Sequence, residues 1–211
     1  MPRKKDSSKA SETRYTASPS KTEEPKAKKA PAVEVKDPTA TTPEAAALIA
    51  ALRNSDADIA RDAATALGTL GEASAVEPLI QVLGNLDGYY HSVVRSAAAA
   101  SLGRLGDRRA VDVLLGTISD SLAEPSAEAI RALAAIGDPR AVNPLIEVVR
   151  NSNGYFLPIA RRAAVAALGK FQSDRLVAAE LLAVSTNTSE DSVIRQAAVE
   201  AIAPTAKKSR G

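Results

Sequence analysis

The chain carries one histidine, His91, and no cysteine. The missing thiols remove disulfides, cysteine nucleophiles and cysteine-based zinc sites, and one imidazole is too few for a multi-histidine metal centre. No Ser/His/Asp set, phosphate-cradling glycine loop or paired-carboxylate arrangement is visible, so no catalytic residue is assigned. The conspicuous side chains are aromatic. Asp87-Gly88-Tyr89-Tyr90 is matched further along by Asn153-Gly154-Tyr155-Phe156, and these loops hold four of the six Tyr and Phe residues. Rings placed this way can grip a partner. They can also plug the gap between stacked helices. Filling is the preferred reading on sequence alone, and exposure of the rings decides: if all four are buried, the gripping role fails.

Arginine recurs as well. Arg95, Arg161 and Arg195 take one helix position, which reads as a structural ladder pairing with acidic groups on the next module rather than as an anion site. Glu77, Gln81, Asp112, Asn143 and Glu147 are the polar residues expected on the concave face, which the second helix of each pair should line. That face reads as neutral to acidic. A nucleic-acid groove needs a basic stripe to displace counterions, and the folded part shows none.

The elements that position these residues are helical. Leu133 to Asn151 reads as a helix end, a turn and a second helix. Leu133 and Ile136 belong to an apolar stripe, and Gly137 suits a left-handed helix end. Asp138 can cap the second helix, with Pro139 in a first turn where no donor is lost. Val142, Leu145, Ile146, Val148 and Val149 supply the buried side. Pro144 predicts a kink, or a helix regular only after it.

The same pattern predicts a helix from Thr42 to about Arg53, either half of an incomplete repeat or a cap. Pairs follow at 56–68 with 74–84, 89–103 with 108–119, 123–135 with 139–150 and 155–169 with 174–184, then a single helix at 189–202. Leu67, Leu102, Leu133, Leu168 and Ile202 hold one register position at nearly even spacing. Periods in the range of roughly 20–50 residues, each one helix hairpin, signal an α-solenoid. Each hairpin there buries its apolar face only by stacking on its neighbours. Ala97, Ala98 and Ala100, with Ala163, Ala164 and Ala166, should let helix backbones approach closely. Residues 75–106 and 141–172 align without a gap and share 15 of 32 identities, so a two-hairpin unit is duplicated.

Composition agrees. Hydrophobic residues make up 45% of the 211 and aromatics only 3%, so the core is built from Ala, Leu, Ile and Val. Residues 1–43 carry ten Lys/Arg against six Asp/Glu, a charge of +4, and the remainder carries −2. Residues 1–41 are rich in Lys, Ser, Thr and Pro, too poor in apolar surface to offset their ordering entropy, and read as a disordered basic tail. Any nucleic-acid or other anionic partner would be reached through this tail. Residues 205–211 form a second, short basic tail, and 42–204 the repeat domain. The start lacks a secretory apolar stretch and no run reaches the roughly 18 apolar residues of a membrane span, so the reading is a cytoplasmic protein off the membrane.

The run Arg95 to Val111, R-x-x-A-A-x-x-L-G-x-L-G-D-x-R-A-V, resembles the HEAT repeat in the subtype named after phycobilisome lyases. Gly137 to Val142 carries the same signature, and the resemblance spans about Ser55 to Pro204. It implies an all-α solenoid of about four to five helix hairpins. It also implies either of two roles. One is a non-catalytic scaffold or adaptor binding another protein, with no cofactor. The other is a bilin lyase or lyase-like subunit, with bilin as substrate. No lyase catalytic motif falls on residues of this chain. The architecturally similar deoxyhypusine hydroxylases bind two irons through several His-Glu pairs, which one histidine cannot supply. Phe171-Gln172-Ser173-Asp174 departs from the pattern where Leu-Gly-Asp would stand.

Overall fold

The computed structural model describes residues 41–203 except 87, 152 and 153. The two tails and the Asp87 and Asn153 positions of the aromatic loops therefore lie outside the described residues. Those described fold into ten α-helices and no strand: α1 (Pro43–Ala51), α2 (Ala57–Leu70), α3 (Val76–Gly84), α4 (Ser92–Leu105), α5 (Val111–Thr117), α6 (Ala123–Ile136), α7 (Val142–Arg150), α8 (Pro158–Leu168), α9 (Arg175–Thr186) and α10 (Ser192–Ile202).

Each turn is built by a few residues. Gly137 ends α6 with φ at +70°, a conformation costly for any side chain bearing a Cβ. The Asp138 carboxylate then accepts the Arg140 backbone N–H at 3.0 Å and opens a 3₁₀ turn that leads into α7. The Arg140 side chain folds onto the same carboxylate at 3.2 Å. Arg109 and Asp107 repeat the device one module earlier, with a backbone bond of 2.9 Å. The D-x-R spacing is thus a cap and a clamp at once. Pro144 falls at the third residue of α7. First-turn N–H groups have no helical acceptor, so the proline removes no bond there and the helix is regular from Val142. The departing fourth turn uses a substitute. α8 ends with Gly169 right-handed, a 3₁₀ turn covers Gly169–Phe171, and Asp174 still caps α9 through the Leu176 N–H at 2.8 Å.

The helices pair in a frame displaced by one from the sequence-based pairing. α1 lies along α2, α3 along α4, α5 along α6, α7 along α8 and α9 along α10, more closely than the two helices joined by each Gly-Asp turn lie along each other. The first helix is therefore not half of an incomplete repeat, and the last is not single: the described residues form five complete hairpins. Stacking is tightest along the row α2, α4, α6, α8, α10.

Leu67, Leu102, Leu133 and Leu168 are fully buried in that row, whereas Ile202, at the same register, is 38% exposed. No further helix of the described residues is stacked beyond α10 to cover it. The alanines contribute unevenly: Ala98 and Ala164 are fully buried, but Ala166 of α8 is exposed. The closest approaches are made by glycine. A Cβ on Gly68 would lie 2.8 Å from the Ser101 Cα, and one on Gly103 would lie 2.8 Å from the Ala132 Cα. Ser101 answers its burial by donating to the Ala64 carbonyl at 2.8 Å. Gly103→Ala is consequently expected to destabilise the protein by about 1–3 kcal/mol, the usual range for overpacking. Alanine's helix propensity favours it by up to about 1 kcal/mol, but the obstacle is backbone and cannot rotate away. A urea titration followed by circular dichroism checks the sign.

Candidate partner-binding groove

The structure brings three of the expected site residues together and disperses the others. Glu77 and Gln81 project from α3, one turn apart, both exposed. Tyr90 comes back over the end of the same helix. With Arg53, Ile80, Gly84, Asn85, Leu86 and Val113 they line a groove of about 430 Å³. Its apolar lining includes Ile80 and Val113, and its polar lining is one carboxylate, Glu77, two amides, Gln81 and Asn85, and one guanidinium, Arg53.

Asn85 shapes the loop at this groove. It ends α3 with φ at +42°, the one positive-φ residue other than glycine among those described. From there its side-chain oxygen accepts the Tyr90 N–H at 2.7 Å. A second tight turn follows at Gly88, φ +68°. Between these fixed points Leu86 is left 98% exposed. A single exposed leucine is ordinary on a protein surface, but this one belongs to the lining of the groove.

The rings are neither all buried nor all exposed. Tyr89 and Tyr90 meet edge to face with centroids 5.0 Å apart, and Tyr155 and Phe156 do so at 4.8 Å. In each pair the second ring is half-buried against the core and the first stands out, Tyr89 at 54% and Tyr155 at 66% exposure. The Tyr89 hydroxyl donates to the Arg53 carbonyl at 2.9 Å, tying this loop to the end of the first hairpin. One ring therefore packs on the core and its neighbour faces outward, so the rings are not all buried, the outcome that would rule out a gripping role.

Duplication has not kept two equal grooves. Gly84 corresponds to Arg150, and Arg150 reaches across from α7 to Glu180 of α9 at 2.7 Å. That bridge raises the arginine's pKa, through the hydrogen bond first, and spans the second copy of the groove. Tyr155 and Phe156 instead line a smaller pocket of about 290 Å³ with Ser119, Asp120 and Ser121 of the α5–α6 loop and Ala123 and Ser126 of α6. Asn143 and Glu147 are exposed on α7, outside both pockets, and Asp112 is taken up by Arg140 at 2.8 Å. His91 is an exposed loop residue just before α4.

The recurring arginines act as cross-braces. Arg95 donates to the Leu83 carbonyl at 3.2 Å and to Asp120 at 2.5 Å. Arg161 donates to the Val149 carbonyl at 2.9 Å and to both oxygens of Glu190, at 3.0 and 2.7 Å. Each thus joins its own helix to the end of the preceding one and to the loop of the next hairpin. Arg195 instead donates to the backbone carbonyls of Thr188 and Glu190, and its charge also helps to lower the Glu190 carboxyl. The Arg161 guanidinium holds the Glu190 carboxyl below the ordinary glutamate range, against the opposing effect of burial. Arg140 and Arg109 likewise lower Asp138 and Asp107 through side-chain hydrogen bonds.

Sequence reasoning missed Leu86, Arg53 and the Arg150–Glu180 bridge. Leu86 was legible as a lone apolar residue in a polar turn, flanked by Asn85 and Asp87-Gly88. The other two join segments from different hairpins and have no local signal. Among the described residues no cluster of His, Asp or Glu could hold a metal, and no helix is long and apolar enough to cross a membrane.

A family model for HEAT repeats matches residues 45–125 and 117–203. The phycocyanobilin lyase subunit alpha of Picosynechococcus is 42% identical over 89 residues, 42% of this chain and 29% of that protein. The phycocyanobilin lyase subunit beta of Nostoc is 36% identical over 105 residues, 50% of this chain and 48% of that protein. The chain therefore aligns with less than half the length of either relative. In fold it is similar to an engineered protein at 21% identity, covering 76% of this chain and 78% of that one with a TM-score of 0.55. It is also similar to the complex of CpcE and CpcF of phycocyanin lyase from Nostoc at 20% identity, covering 84% and 80% with a TM-score of 0.50. Stacked hairpins, Gly-Asp turns and these matches lead to one conclusion: the chain belongs to the HEAT-repeat family and resembles phycobilisome lyase subunits.

Proposed function

We propose that this protein is a non-catalytic adaptor that holds a segment of another protein in the α3 groove, gripped by Leu86 and Tyr90 and oriented by Glu77, Gln81 and Arg53. The observation that carries this reading is Leu86, 98% exposed in the lining of a partly apolar groove whose duplicate is bridged by an ion pair. Burying such a side chain returns about 1.5–3 kcal/mol to a complex, the scale of an interface hot spot. The relatives support a partnered role, since they are lyase subunits and the solved structure is a complex of two different chains.

Leu86→Asp and Tyr90→Ala test the reading. Leu86→Asp is expected to change folding stability by less than about 0.5 kcal/mol, because the residue touches little. Both variants should weaken partner retention at least tenfold, measured as the proteins retained from native lysate by the tagged full chain. Retention unaltered by both variants would remove the groove from the account.

The relatives support a second reading, that this chain handles a bilin as a lyase-like subunit. Titrating phycocyanobilin into the purified chain while recording its visible spectrum decides between them. A saturable spectral shift supports bilin handling, and an unchanged spectrum up to about 1 mM, the upper end of the ordinary range of substrate affinity, supports the adaptor.

A further inference from the structure

We propose that a groove across α6, α8 and α10 docks an acidic amphipathic helix of another protein. This surface lies on other helices than the α3 groove and does not depend on it. Its volume is about 540 Å³, against about 430 Å³ for the α3 groove. It runs along successive helices of the row, so a further module stacked beyond α10 would lengthen it rather than fill it. Part of its lining is alanine, including Ala134, Ala163, Ala166 and Ala197, with Ile159 as a larger exposed apolar side chain. The rest is charge: Arg131, Arg162 and Lys170 against Glu200, a net +2.

These cations do not hold the stack together. Arg95 and Arg161 brace neighbouring hairpins, but Arg162 and Lys170 are exposed and make no ion pair or side-chain hydrogen bond among the described residues. Arg131 is bonded to Glu128, one turn back on α6, and Glu200 accepts from Gln196 at 3.1 Å. The duplication makes the charge particular to one copy. Leu67 and Leu133 stand 66 apart, and that offset sets Arg131 against Thr65, Arg162 against Ser96 and Lys170 against Arg104. Two of the three cations therefore have an uncharged counterpart, whereas Ala163 and Ala166 match Ala97 and Ala100.

Chemistry selects the occupant. Unpaired cations beside apolar surface favour a segment that brings carboxylates. The chain's own flanks are of the wrong sign: residues 1–43 carry +4, and residues 205–211 carry Lys207, Lys208 and Arg210 with no acid. No aromatic ring lines the groove for a nucleic-acid base to stack on. The lining backbone is helical, so its N–H and C=O groups are already bonded. An extended segment laid there would leave its own backbone groups unmet, whereas a helix carries its bonds within itself. Alanines let a helix axis approach to about 8 Å. An apolar stripe edged with carboxylates then meets the alanines and Ile159 while its edge reaches Arg162 and Lys170.

Fluorescence anisotropy of the full chain with three dye-tagged peptides of about 18 residues, long enough for a helix, tests this. The first carries a Leu/Ala stripe edged with Glu. The second replaces each Glu with Lys. The third keeps the acidic composition but has central prolines that break the helix. The first should bind with a Kd between about 1 and 100 μM, as suits a small interface, and at least tenfold tighter than the other two. Raising salt from about 50 to 500 mM should weaken it. Arg162→Glu with Lys170→Glu, and separately Ala166→Trp, which fills the groove, should each weaken it at least tenfold with helicity unchanged, since all three side chains are exposed. Leu86→Asp should leave it unaltered. No binding of the first peptide up to about 1 mM, beyond the range of a specific small interface, would overturn the proposal. Equal binding of the proline-broken peptide would reduce the site to an attraction for any acid, and indifference to the charge reversals would place binding elsewhere; either overturns it. So would a free chain that sediments as a dimer and becomes monomeric on the same reversals, since a second copy would then fill the groove.

Discussion

Arg161→Ala is expected to cost about 3–5 kcal/mol, the penalty for stranding one member of a buried ion pair. The side chains of Arg161 and Glu190 are each 10% exposed. Removing the guanidinium takes two bonds from Glu190 and one from the Val149 carbonyl, and leaves a carboxylate facing protein rather than water. Chemical denaturation at neutral pH reads the loss. The double variant Arg161→Met with Glu190→Leu should recover most of it, because a well-packed apolar pair of similar volume avoids the desolvation altogether.

The same pair sets an acid limit. Glu190 has its carboxyl lowered in the folded protein, so the unfolded chain binds the proton more readily. The stabilisation is therefore fully present above the ordinary glutamate range, near pH 4.5, and is lost as pH falls through the lower folded value. Wild-type stability should decline below that range, and the decline should be shallower in Arg161→Ala, where the partner that lowers Glu190 is gone. An equal acid slope in both proteins would remove Glu190 as a contributor.

Leu133→Ala is expected to cost about 2–5 kcal/mol, the transfer and cavity terms of a buried leucine. Leu133 is fully buried at the centre of the α2–α10 row. Ile202→Ala, at the same register but 38% exposed, should cost clearly less. A loss below about 0.5 kcal/mol at Leu133, the level of ordinary surface changes, would mean that the register is misplaced.

The fold was legible because each module repeats the same local physics. Apolar residues at helical spacing, a glycine at the helix end and an aspartate after it are all short-range signals, and repetition along the chain reinforces them. The pairing frame was not legible, because the Gly-Asp turn suggests that the helices it joins are the closest pair. Packing decides otherwise. Gly68 and Gly103 draw helices together across modules, and the L-G-x-L-G run carries that information in its first glycine, beside alanines that look like the more obvious points of close approach. At the site, Glu77, Gln81 and Tyr90 were readable from face and repeat, but their union was not, since Tyr90 returns over α3 only because Asn85 adopts a left-handed conformation. The asymmetry of the duplicate rests on one substitution, Gly84 against Arg150, whose meaning depends on Glu180 in the next hairpin.

Amide hydrogen exchange, comparing the free chain with the chain bound to the protein it retains from lysate, addresses the working surface most directly. Slower exchange is expected from Glu77 to Leu86 and at Tyr90, with α7 unchanged. Slowing confined to α7 or to the first helices, with α3 exchanging as in the free chain, would contradict a working surface at the α3 groove.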